Sequence, residues 1–293
     1  MADWGAFLAI AAVLTMLLLL LARQSQQVIH RQVGREAGDT SPAPVEVGPG
    51  AGEETRRVED QVSEGDQDPT VDEEATAEGA EHSPGNNGET GSTIPLTPAV
   101  LGLNVAFTQA LVVVVLVAAA WFFSIPASAF GTGEAPIQGG LAGVALGVGL
   151  GGLLWVGNEC STLVADAVGA TYDERVRELL APDSAGGWVA LLGFVLPLVA
   201  LAEELLFRAA LVGVPAAGYP VSPWLLVVLA AAAFALGHGA QGRVGIAVTG
   251  ALGLALGTAF VLTESLLVVV VAHYVVNALE FSVHEYLGLD PLG

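Results

Sequence analysis

The sequence predicts an all-α, polytopic transmembrane helix bundle of about seven spans, an N-terminal anchor followed by a six-helix core. Three observations carry that prediction. Mean hydropathy is +0.65 and 53% of the residues are hydrophobic, values of a multi-pass membrane protein rather than a soluble domain. The apolar residues gather into seven runs of roughly membrane-crossing length. The arginines outside the runs fall on alternate connections only, as the positive-inside rule requires.

The first run, residues 5–22, is almost unbroken. A secretory signal begins with positive charge, whereas this chain begins Met1-Ala2-Asp3-Trp4 and places Arg23, Arg31 and Arg35 after the run. A retained anchor with its N-terminus outside is expected.

An acidic stretch follows. There are 30 acidic residues against nine arginines, no lysine, and a formal charge of −21. Sixteen of the acids lie between Glu36 and Glu89. No basic patch exists, which excludes a nucleic-acid partner. Residues 36–93 are rich in Gly, Pro, Ser and Thr and lack hydrophobic periodicity, so they read as a disordered cytoplasmic tether. The organisation expected is residues 1–35 as anchor and flank, 36–95 as acidic linker and 96–293 as core, with the motifs in 187–287. A chain starting near Thr93 is expected to insert and keep its chemistry. A carboxylate-rich, lysine-free composition also suits strong salt, as in a halophile.

Six further runs cover residues 98–125, 139–157, 187–212, 222–239, 244–262 and 265–283. Threaded from an outside N-terminus, Arg56, Arg57, Arg175, Arg177 and Arg243 all fall inside, while the outer loops carry Glu134 and Glu264. The protein is therefore expected in the cell membrane, with linker and C-terminus cytoplasmic. Gly143, Gly147 and Gly151 repeat every four residues, as do Gly253 and Gly257. Small residues at that spacing let helices approach closely. Pro197, six residues before Glu203, is expected to kink its helix and free a carbonyl near the site. Val176, Leu179 and Leu180 give the connection at residues 171–180 an amphipathic face. Cys160 is the only cysteine, is expected to pack as a small apolar residue, and excludes an intrachain disulfide. Asn104 and Gln109 are expected to make interhelical hydrogen bonds.

Three patterns in the later runs carry chemistry: Glu203-Glu204-x-x-x-Arg208, Phe234-x-x-x-His238 and His273-x-x-x-Asn277. Ionisable groups inside apolar runs are costly and mark functional sites. Positions four apart share a helix face, so Glu204 pairs with Arg208 while Glu203, about 100° away, faces elsewhere. Adjacent carboxylates in a low dielectric cannot both ionise cheaply without such compensation. His273 and Asn277 share a face, which Glu280 and His284 continue towards the cytoplasmic end as interfacial groups. One carboxylate free, one paired, two imidazoles and an amide form a set able to activate water and stabilise an oxyanion.

These motifs, in this order, resemble the CAAX-protease and bacteriocin-processing intramembrane endopeptidases, the Abi or CPBP family. The resemblance covers roughly residues 187–287, with Ala209 where a glycine is common in relatives. It implies an endopeptidase acting on membrane-associated, including prenylated, protein or peptide substrates among membrane lipids. Glu203 is then the general base, Glu204 is held by Arg208, His238 positions water or the carbonyl, and His273 with Asn277 stabilises the oxyanion. No cofactor is favoured. A zinc site made by Glu203, His238 and His273 is the alternative, although the compact His-Glu-x-x-His signature is absent. Two other functions also fit buried Glu, His and Arg: a transporter or proton relay, for which no internal repeat is visible, and a non-catalytic scaffold. One difficulty stands against the threading. It puts Glu203 past the middle of its helix towards the outside, and His238 towards the inside, over 10 Å apart in depth at about 1.5 Å per residue.

Overall fold

Each apolar run folds as a helix, because a backbone without water to bond must satisfy its own N–H and C=O groups. A computed structural model of the chain describes residues 1–39, 97–167, 169 and 174–289, and it contains no strand among them. The acidic stretch beyond Asp39 lies outside the described residues, as do residues 171–173 of the amphipathic connection. The helices are α1 (Trp4–Asp39), α2 (Pro98–Phe122), α3 (Gly140–Ala167) and the short α4 (Arg175–Leu180). There follow α5 (Ala185–Gly218), α6 (Pro223–Gly237), α7 (Gly242–Thr263) and α8 (Leu266–Tyr286). Six of these are long and apolar enough to cross a membrane. The chain is a multi-pass membrane protein of about seven spans.

α6 is the seventh apolar helix, and it has only 15 residues. At 1.5 Å per residue it rises about 22 Å, short of the ~30 Å of a hydrocarbon core. It ends where His238 leaves helical geometry (φ −97°, ψ 17°). A tight turn at Gly239–Gln241 and Gly242, whose φ of 78° suits glycine, lead into α7. α5 is the opposite case. It runs 34 residues, so Glu203 lies near its middle. A short α6 and a long α5 together remove the depth difficulty.

α5 is also irregular. Two π-helical stretches, Leu191–Val195 and Leu205–Gly213, flank the regular segment Leu196–Glu204. The first wide turn precedes Pro197, which lacks an N–H to continue the ladder. Wide turns of this kind are frequent at functional sites.

Glycine spacing sets the closest helix pair. On α3, a Cβ at Gly147 would lie 2.8 Å from Val268 O, and one at Gly151 2.6 Å from Ala272 O. The backbones of α3 and α8 therefore touch, as small residues permit in lipid. Gly257 admits Val227 of α6 in the same way. Leu103, Phe107, Trp121 and Leu141 point outward, where lipid solvates them.

α1 packs into the bundle: Phe7 and Ala11 are fully buried, Phe7 meets Phe130 edge-on at 5.6 Å, and the Asp3 N–H donates to Phe123 O. A chain starting near Thr93 would lose part of the core. Cys160 is exposed rather than packed, because it lies on the outward face of α3.

Candidate active site

The bundle brings Glu203, Glu204, Arg208, His238, His273 and Asn277 to one region. Glu204 is its fixed point. Its Oε1 accepts from Arg208 Nη1 at 2.8 Å and faces His273 Nδ1 at 2.7 Å. Glu204, Arg208 and His273 are 0%, 1% and 3% exposed. The i,i+4 pairing read from the sequence is therefore observed, although Arg208 sits in the wide turn of α5. Arg208 also reaches Gly253 O at 3.5 Å. A buried cation survives only when paired in this manner.

Glu203 is placed differently. It lines a cavity of about 300 Å³ together with His238, His273 and Asn277. Its Oε2 is buried and has no hydrogen-bond partner, His273 Nε2 being 3.7 Å away. That separation allows attraction but is too long for a hydrogen bond. His273 Nε2 faces the cavity side.

His238 gains its orientation from the end of α6. Its backbone N–H turns to Ala235 O, which releases the carbonyl of Phe234. The His238 ring takes up that carbonyl, Nδ1–H donating to Phe234 O at 2.9 Å. A carbonyl only accepts, so Nδ1 carries the proton and Nε2 is the atom left for the cavity.

Phe234 is the residue that motif reasoning left out of the site. Arg208 lies over its ring at 4.6 Å, and the rings of Phe207, His238 and His273 surround it at 5.1, 4.5 and 5.9 Å. The Phe-x-x-x-His spacing was its signal. One aromatic ring thus contacts the cation and both imidazoles.

The zinc trio does not assemble. Among the described residues, the one group of three whose donor atoms all lie within 4.8 Å is Glu159, Glu280 and His284, not Glu203, His238 and His273. Both imidazole Nδ1 atoms of the expected trio are committed elsewhere, to Glu204 and Phe234, and the remaining donors are too far apart. As they stand, these residues do not fit a metal.

The second polar cluster closes the other end of the cavity. His284 Nε2 meets Glu159 Oε1 at 2.8 Å, and Asn158 donates to Glu280 at 2.6 Å. Arg177 of α4 bonds Glu280, Glu285 and Glu174 at 3.1, 2.7 and 2.9 Å. Burial alone would lower the Arg177 pKa, but the Glu285 hydrogen bond and the charges of Glu174, Glu280 and Glu285 raise it overall. α4 is therefore tied to α8 by charge. Asn104 points outward, and neither it nor Gln109 makes the expected interhelical side-chain bond among the described residues.

Residues 185–279 match the family model of the type II CAAX prenyl endopeptidases, Rce1-like. The chain is similar to this family over that segment. No curated protein and no solved structure matches it. The Rce1-like segment contains all three motifs and spans α5 to most of α8. It leaves out α1 to α3, which wall the site from the other side. A protease of the membrane is what this family implies in general.

Proposed function

We propose that the chain is an intramembrane endopeptidase that hydrolyses peptide bonds of membrane-associated substrates, prenyl-modified chains among them, with water activated by Glu203. One observation carries the reading. Arg208 and His273 both occupy Glu204, while its neighbour Glu203 keeps a buried, unpartnered oxygen beside the cavity.

The reaction follows from that division. Glu203 takes a proton from water as the oxygen adds to the scissile carbonyl carbon. The oxyanion that forms accepts from the Nε2–H of protonated His273 and from the amide of Asn277, one turn further along α8. Glu204 steadies the imidazolium and is itself held by Arg208. His238 Nε2 orients the water. Collapse of the tetrahedral intermediate breaks the C–N bond, and the proton held on Glu203 passes to the leaving amine. The cytoplasmic side is proposed for α4, since Arg175, Arg177 and Arg243 share it.

The test uses the full chain in lipid vesicles with a membrane-anchored reporter peptide. Wild type releases the reporter and Glu203→Gln does not. Equal release by both would sink the proposed role of Glu203.

A further inference from the structure

Gln109 belongs to none of the motifs and lies outside the matched family segment. It sits near the middle of α2, on a helix otherwise almost wholly apolar. An amide at that depth is costly unless something hydrogen-bonds it. No described residue does so. Helix packing therefore leaves its presence unexplained.

Its position is specific. Besides the main cavity, a second of about 170 Å³ opens between α1, α2, α5 and α6. Gln109, Glu203, Phe234 and His238 line both cavities. The free amide and the free carboxylate thus stand on different helices around the same junction. The remaining walls of the smaller space include Leu18, Val112, Leu206 and Phe207, apolar side chains beside which a hydrogen bond matters more than it would in water.

We propose that Gln109 is a substrate-binding residue that holds the peptide backbone beside the scissile bond. Nε2–H donates to a substrate carbonyl and Oε1 accepts from a substrate N–H. The chemistry selects this ligand. A primary amide offers one donor group and one acceptor side by side, the complement of a peptide unit. An extended peptide entering a membrane interior has unsatisfied N–H and C=O groups of its own, so each partner relieves the other. A carboxylate or cation in the substrate would gain less from a neutral amide. The inference rests on the endopeptidase reading and adds to it a binding contact on α2.

The experiment pairs Gln109→Leu with backbone-modified substrates, using the full chain in vesicles. Esters replace, one at a time, the peptide units flanking the scissile bond. Gln109→Leu is expected to raise KM about tenfold with little change in kcat, as for a lost hydrogen bond to a buried partner. On one ester substrate, wild type should already show the raised KM, and the substitution should add nothing. An unchanged KM, or an equal loss on amide and on every ester substrate, would overturn the inference. Should Gln109→Leu not fold, the wild-type ester series decides alone, and a flat KM across it overturns the inference. A wild type that cleaves none of the peptides overturns the endopeptidase reading and this inference with it. Cleavage with a KM indifferent to Gln109 overturns the inference only.

Discussion

His273 Nδ1 lies 2.7 Å from Glu204 Oε1, across 69 residues of sequence and inside a fully buried pocket. Arg208 holds the same oxygen from the other side. Two adjacent glutamates are thereby given different tasks, and their substitution should have different consequences.

Glu203→Gln is expected to abolish cleavage and leave the thermal midpoint in detergent within a degree or two. Glu204→Ala strands Arg208 without its anion and frees His273. It should destabilise the bundle by about 3–5 kcal/mol, as for a broken buried pair. Thermal unfolding of the two purified variants separates the cases. A stable Glu204→Ala protein with wild-type turnover would refute the arrangement.

Asn277→Ala removes a proposed oxyanion donor. A loss of about 2–4 kcal/mol in transition-state stabilisation is expected, appearing in kcat more than in KM. A change confined to KM would assign Asn277 to substrate binding instead.

Purified protein should retain activity after chelation and carry no stoichiometric zinc, because Glu203, His238 and His273 do not bring their donor atoms together. Metal analysis on the active enzyme checks this. One zinc per chain, with activity lost on removal and restored on return, would recast both histidines as ligands.

Gly151→Val drives a side chain into Ala272 O, the carbonyl next to His273. Overpacking of this kind costs about 1–3 kcal/mol. A displacement of α8 should lower kcat as well as stability. Gly149→Val is the control, since a Cβ there meets nothing within 4 Å. Equal effects from both substitutions would mean that the α3–α8 contact does not position the site.

Removal of residues 1–92 should destabilise the protein, since it takes away Phe7 and Ala11 from the core. Replacing residues 40–93 by a Gly/Ser segment of the same length should leave turnover unchanged. Loss of activity in the second protein would give the acidic stretch a role in the reaction. In intact cells, a cysteine at Ser128 should react with an impermeant reagent and one at Ser63 should not. The reverse pattern would invert the proposed orientation.

Much of the fold was legible in the sequence because hydropathy and helical period are local properties. The apolar runs marked the helices, and glycine spacing marked the α3 face that touches α8. The i,i+4 rule paired Glu204 with Arg208 and put His273 and Asn277 on one side. Only the tertiary structure decided how these faces meet. A helical period says which residues share a face, not which helix that face will meet or at what depth. So the sequence could not place His273 on Glu204. Nor could it bring His238 level with Glu203, or set Gln109 at the junction of two cavities. The zinc trio failed for the same reason: the right residue types were present, but the packing of the helices does not bring their donor atoms together. α1 reads as a simple anchor because its apolar run is uniform, and its burial depends on Phe130 and Gly218, which lie far away in the chain and adjacent only once it has folded.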